Sequence, residues 1–445
     1  MSEPFMDRWT LNGVEVLLQD HGRDQANGVP ILDEDAKLPD RYFPAGYSDN
    51  IRVAPNYTEK VDVWLSKLAA GEWLPSNPIP TIDSGKGFLQ ERLFVTHTGA
   101  VVGANFNYNG VIRSADKGRN WTVVDSDIRT SSSSNPYCFF EVDNVVFMLG
   151  RSTNTLYRST NDGVTWTISV IDPTIIGLLP SRHGRYVYYY EGALYVFARY
   201  TQSTGKVFKS TDLGMTWTPC SPELSTSHVF NDYSSFAVFN GKFFVGIAWG
   251  SSGNFSCERS SVDMDGTTWS TVSGTSAEVG NVLLSNGRIL MSAATYDNAT
   301  NKAYHWSADG TTFTEAQSPF TAGGWLRMDE STGTFYGCTS HLLRFDEVNH
   351  TWVDVDSSWI QSRCDFTRYY SLLFATTMDQ SSSSASVIIK YSKDNGNSWS
   401  SLTVAEQVGG MQCSEKDNVA YLTIKHGENN YIFFGYNDLV PLFLE

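Results

Sequence analysis

A short pattern of serine, aspartate or asparagine, glycine and tryptophan recurs along most of this 445-residue chain. Ser114-Ala-Asp116-Lys-Gly118-Arg-Asn-Trp121 is followed by Ser159-Thr-Asn161-Asp-Gly163-Val-Thr165-Trp166 and by Ser210-Thr-Asp212-Leu-Gly214-Met-Thr216-Trp217. Ser261-Val-Asp263-Met-Asp-Gly266-Thr-Thr268-Trp269 carries one inserted residue, and Ser307-Ala-Asp309-Gly310-Thr-Thr312-Phe313 has lost one. Ser392-Lys-Asp394-Asn-Gly396-Asn-Ser398-Trp399 returns to the parent length. A decayed member, Phe345-Asp-Glu347-Val-Asn349-His-Thr351-Trp352, fills the gap before it, with Asn349 in the place of the glycine. The aromatic ends lie about 46 residues apart on average, a period that indicates stacked or radially arranged repeats and argues against a single wound domain.

The chemistry of the pattern is turn chemistry. An Asp or Asn side-chain oxygen accepts from backbone N–H groups across a loop, glycine supplies a positive φ, and the hydroxyls complete the local bonds. Each copy follows an alternating apolar run such as residues 110–113 or 387–390 and precedes another such as 121–124, which places it on a hairpin between antiparallel strands. A carboxylate repeated in every period is expected to be structural. A catalytic one should be singular.

With these residues in hand, the chain resembles the Asp-box or BNR repeat, S-x-D-x-G-x-T-W, of sialidases and many other β-propellers, over roughly residues 85–445. Each period reads as four short strands; in the third these are residues 185–190, 193–200, 206–210 and 216–219. The expected fold is therefore all-β, a propeller of four-stranded blades. Residues 409–445 hold strand-like runs at 419–423, 431–434 and 442–444 and read as a further unit without a box, so eight blades are favoured over seven.

The resemblance implies that the boxes lie opposite a sialidase-type substrate face, which directs attention to the other loops. Residues expected on that rim are Arg182, Arg199, Tyr200, Trp249, Trp325, Arg327, Arg363, Arg368 and Tyr369, with His183, Tyr296, Trp359 and Tyr370 nearby. Rings stack on pyranose faces and guanidinium forks hold carboxylates, so this mixture suits a sugar or an acidic glycan. The sialidase family also carries an arginine within an F/Y-R-I-P motif. No R-I-P occurs here, and the early segment Leu89-Gln-Glu-Arg92-Leu-Phe-Val does not match it. Binding is thus expected ahead of hydrolysis, with a sialidase-like glycoside hydrolase as the alternative, and no catalytic residue, metal or cofactor is assigned.

The formal charge of -16 argues against nucleic acid or an anionic membrane as the main partner, because either needs a positive footprint. No apolar run of about 18 residues is present. The first residues lack a basic region followed by an apolar core, so secretion by the ordinary route is not expected. The six cysteines are widely spaced and show no zinc pattern; reduced thiols in small apolar sites on strands are the expectation.

Ahead of the repeats, Gly28-Val-Pro-Ile-Leu32-Asp33-Glu-Asp35-Ala-Lys37-Leu38-Pro39-Asp-Arg-Tyr-Phe-Pro44 resembles a segment common in bacteriophage tail-fibre and virion adhesin proteins, with Ala36 where that family has glycine. Residues 58–70 read as a helix capped by Thr58, with Val61, Trp64, Leu65 and Leu68 on one stripe and Gly71 as its stop. The resemblance implies an anchoring region, residues 1–84, and a displayed propeller, residues 85–445. The chain then reads as a phage or prophage tail protein made in the host cytoplasm, contacting other virion tail proteins through residues 1–84, a host surface glycan through the propeller, and further copies of itself. A bacterial binding propeller unrelated to phage is the remaining alternative.

Overall fold

The computed structural model describes residues 7–11, 14–18, 65, 74–75, 93–104, 111–125, 136–150, 155–178, 187–226, 235–251, 254–272, 279–285, 288–293, 303–317, 325–329, 332–338, 341–358, 364–369, 372–377, 389–402, 407–414, 419–426 and 429–436. Apart from a helical Leu65, regular structure among them is β. Contacts divide the chain into one unit of residues 1–70 with 436–445 and a second of residues 71–435. The first contains an antiparallel hairpin, Asp7–Leu11 with Val14–Leu18.

The second unit is a β-propeller of four-stranded antiparallel blades. Strands follow in chain order within each sheet, as in Phe94–Val95, Val101–Ala104, Val111–Ser114 and Thr122–Asp125 of the first sheet. The second sheet comprises Pro136–Val142, Val145–Gly150, Thr155–Ser159 and Thr167–Val170. The third, Tyr188–Tyr190, Ala193–Arg199, Thr204–Ser210 and Thr218–Pro219, gains two short flanking strands, Gly177–Leu178 and Leu224–Ser225. These bounds match the runs read from the sequence to within about three residues. Four further sheets of the same order begin at Ser235, Val279, Trp325 and Cys364.

The last sheet differs. Gln407–Ser414, Val419–His426 and Asn429–Tyr436 are completed by Leu74–Pro75, with Leu74 opposite Phe434, so a strand from ahead of the first sheet closes the last one. The expected boundary at residues 84/85 therefore cuts off a strand of the propeller, and the contact division at 70/71 keeps it. Residues 442–444, expected as a strand-like run of this last unit, lie outside the described residues, as do the segment 28–44 and all of the expected helix 58–70 except Leu65, which is helical and buried.

Alternation within the strands explains where the core sits. In Ala193–Arg199 every residue through Ala198 is buried, because a second strand is covered on both faces by neighbouring sheets. Fourth strands are outward edges: Thr218–Pro219 and Ser270–Thr271 are exposed, and Thr167–Val170 buries only Ser169. Core clusters run from sheet to sheet. Phe147 and Leu149 of the second sheet pack with Leu194, Val196 and Phe208 of the third, and Tyr195 and Phe197 of the third with Phe236, Phe243 and Phe244 of the fourth. Each such side chain contributes about 1.5–3 kcal/mol relative to exposure. Tyr336 and Leu342 of the sixth sheet meet Leu373 and Ala375 of the seventh in the same way.

Candidate functional site

The recurrent turns join third to fourth strands, and in the intact copies the serine hydroxyl is the hub. Ser114 Oγ accepts the Gly118 N–H at 2.8 Å and donates to Asp116 Oδ1 at 2.8 Å. Ser159 does the same with Gly163 and Asn161, Ser210 with Gly214 and Asp212, Ser307 with Gly310 and Asp309, and Ser392 with Gly396 and Asp394. The acceptor oxygen then takes the N–H four residues on, at 2.9 Å from each of Asn120, Thr165, Thr216 and Ser398. In the shortened copy Asp309 accepts from Thr311 and Thr312, both at 2.7 Å. The indoles of Trp121, Trp166 and Trp399 close their own loops on the carbonyls of Gly118, Gly163 and Gly396. Those of Trp217 and Trp269 instead cross to the preceding sheet, to Ser169 Oγ and the Pro222 carbonyl.

Glycine is needed twice over. The residue before it and the glycine itself are both left-handed, as in Asp162 (φ 55°) and Gly163 (φ 80°). A Cβ on Gly163 would also stand 2.5 Å from Val102 of the first sheet, and one on Gly396 only 2.0 Å from the Tyr336 hydroxyl of the sixth. The turns of the second, third and fifth sheets are each held by the sheet before them. Arg113 Nε donates to the Asp162 carbonyl at 2.7 Å, Arg158 Nε to that of Leu213 at 3.1 Å, and Asn240 Nδ2 to that of Asp309 at 2.9 Å.

Two copies depart from expectation. In the fourth, the inserted residue leaves Gly266 without a left-handed φ, and exposed Asp263 pairs with Lys242 at 2.9 Å. In the decayed copy Asp346, one residue before the expected Glu347, accepts from the N–H groups of Val348 and Asn349, and His350, not Asn349, is left-handed (φ 53°).

These bonds determine the acidity of the carboxylates. Burial raises the Asp212 carboxyl, but donation from Thr216, Ser210 and the Met215 N–H outweighs it and holds the group at about 2. The Thr312 and Thr311 N–H groups draw Asp309 lower still. Asp116 and Asp394 are lowered on balance too, with hydrogen bonds overcoming burial. Lowered in this way, such groups are poorly suited to act as general acids at neutral pH.

Antiparallel order decides which of the expected rim residues share an edge. The hairpin between first and second strands lies at the same edge as the recurrent turn, and the hairpin between second and third strands lies at the opposite one. Arg199 and Tyr200, at the end of a second strand, Trp249, late in Lys242–Ser251, and Trp325, at the start of Trp325–Asp329, therefore belong to the edge opposite the turns. Arg327 lies in mid-strand. Arg368 and Tyr369 end the first strand Cys364–Tyr369, at the turn edge, contrary to expectation. Arg368 donates to Asn395 Oδ1 at 3.0 Å and to Asp329 Oδ2 at 2.6 Å, tying the seventh sheet to the sixth. Arg182 and Arg363, with His183, Tyr296, Trp359 and Tyr370, lie outside the described residues.

The best-defined surface at the opposite edge is on the third sheet. Its hairpin is closed by Tyr200 N–H to the Thr204 carbonyl at 2.9 Å, and Gly177 makes room for the Arg199 guanidinium, whose Nη2 would be 2.9 Å from a Cβ there. Half-buried Tyr200 packs on Phe208, with Lys206 Nζ 5.8 Å from its ring centre. Burial, then Asp172 and Glu223, push its hydroxyl upward, so it stays a protonated donor. A ring face, two cations and two carboxylates make a surface able to bind a polar ligand. Cys220, just after the fourth strand of this sheet, is a free thiol pushed up to about 12 by burial.

No family profile matches the chain, and no curated protein matches it. Solved structures with a similar course include the computationally designed Ika8 protein, at 8% identity and a TM-score of 0.49 over 79% of this chain and 98% of that one. YCF48 bound to a D1 peptide aligns at 12% identity and 0.42, over 82% and 94%. The Pan2 WD40 domain of Neurospora crassa aligns at 11% and 0.41, over 81% and 95%.

Proposed function

We propose that this chain is a tail protein of a bacteriophage or prophage particle, of tail-fibre or adhesin type. In this reading the region before residue 71 attaches to other tail proteins, and the propeller is displayed to bind a host surface glycan without cleaving it. The finer architecture belongs to the same proposal: eight blades, supported by the seven four-stranded sheets and one six-stranded sheet of described strands, joined by turns of Asp-box type. The observation that carries the non-catalytic reading is the use of Asp116, Asp212, Asp309 and Asp394 as acceptors within their own turns. They are consumed by turn bonding, which makes them scaffold and leaves recognition to the variable opposite edge. Attachment rests on the resemblance of residues 28–44 to tail-fibre segments.

Two experiments test it. Deletion of residues 1–70, which spares the strand Leu74–Pro75, should abolish incorporation into particles while leaving a soluble propeller; unchanged incorporation of the truncated chain refutes the anchor. A surface-glycan array followed by product analysis should give binding without turnover by the full chain. Turnover would favour the sialidase-like hydrolase reading instead.

A further inference from the structure

Three residues outside the proposed glycan surface meet at the turn edge, where the first and second sheets abut. His97 lies in the tight hairpin closed by the Thr96 N–H to the Ala100 carbonyl at 2.8 Å. Glu141 is the penultimate residue of Pro136–Val142, and Asp162 is the left-handed residue of the second sheet's recurrent turn. One ligand atom from each lies within 4.8 Å of the others. His97 Nδ1 contacts Glu141 Oε1 and stands 3.5 Å from Asp162 Oδ1. The other Glu141 oxygen accepts the His97 main-chain N–H at 2.9 Å, which fixes the carboxylate and leaves Oε1 directed at the cluster.

Two features separate this group from an ordinary surface ion pair. Asp162 Oδ1 is buried and accepts no hydrogen bond, because His97 Nδ1, 3.5 Å away, is engaged with Glu141. The turn does not require a carboxylate there either, because the equivalent positions are Lys117, Leu213 and Asn395. Arg113 Nε is committed to the Asp162 carbonyl and so holds this turn to the first sheet.

We propose that His97, Glu141 and Asp162 bind one divalent first-row transition ion, with Zn2+ the best match to one imidazole nitrogen and two carboxylate oxygens. Three protein ligands leave a position for water. With bonds of about 2.1 Å, neighbouring ligands of a tetrahedral ion stand about 3.4 Å apart, close to the His97 to Asp162 separation. The His97 to Glu141 contact opens to admit the ion between them. The imidazole is 42% exposed, so the ion reaches it directly from solvent. Bound there, it bridges the first sheet to the second.

The test is calorimetric titration of chelator-stripped full-length protein with Zn2+, followed by Co2+ absorption. The other histidines and the cysteines can take up metal, so the difference between chains is what is read. Wild type should bind one more Zn2+ per chain than His97→Ala and show cobalt d–d bands that His97→Ala lacks. Asp162→Asn, which the turn accommodates because Asn395 occupies the same position, and Glu141→Gln should each weaken that ion at least 10-fold with unchanged circular dichroism. Equal stoichiometry and affinity in wild type and Asp162→Asn would overturn the assignment, even if His97→Ala failed to fold.

Discussion

At the turn edge, a serine, a side-chain oxygen acceptor and a glycine are reused from sheet to sheet and bonded to one another locally, and the loops of the second and third sheets are gripped by the preceding sheet. At the opposite edge the residues differ from sheet to sheet. The third presents Arg199, Tyr200 and Lys206, whereas the sixth and seventh are joined by a buried ion pair, Lys390 with Asp356, supported by Ser358 Oγ at 2.9 Å from Lys390 Nζ. Repetition is affordable where the task is to hold neighbouring sheets at one spacing. Variation collects where no common task constrains the residues, and that is where recognition can reside.

The largest expected effect breaks the variable edge. Lys390→Met leaves Asp356 as a buried uncompensated anion and should cost about 3–5 kcal/mol in urea unfolding, whereas Lys390→Met with Asp356→Leu should recover most of the loss. At the repeated edge, Gly163→Ala should cost about 2–3 kcal/mol from left-handed strain plus collision with Val102. Gly192→Ala, with φ 77° but nothing within 4 Å, should cost about 1 kcal/mol, so the difference isolates the packing between sheets. Ser210→Ala leaves the Gly214 N–H and Asp212 short of a partner and should cost about 1–2 kcal/mol by the same measurement.

The smallest effect is acid sensitivity. Asp212 is lowered from 3.8 to about 2 in the folded chain, so its contribution is present above pH 3.8 and is lost as pH falls through about 2. Melting temperature should therefore decline across that window. Asp212→Asn should flatten the decline, because Asn161 performs the same turn function with nothing to titrate.

The turns were legible because their requirements are local: a hydroxyl, an oxygen acceptor and a left-handed glycine within eight residues leave a visible spacing. Arg113 and Arg158 each stand directly before the turn serine, a spacing that hints at the grip on the next sheet but does not reveal its target. Closure by Leu74–Pro75 was hidden because two residues carry no periodicity and their partner lies at the far end of the chain. Arg368 ends a first strand, so antiparallel order returns it to the Asn395 turn and away from the rim its residue type suggests. In the decayed turn the glycine was lost, and with it the mark that would have identified Asp346 and His350. His97, Glu141 and Asp162 come from three separated segments, and no short motif joins them.

The central claim is that the turn-edge acids are scaffold and that recognition belongs to the opposite edge. Its most direct test is the affinity of the full chain for the glycan retained on an array, compared between Tyr200→Ala and Asp116→Asn. The account predicts at least a 10-fold loss for Tyr200→Ala, unchanged affinity for Asp116→Asn and no cleavage product from either. Loss of binding or of glycan turnover confined to Asp116→Asn would contradict it.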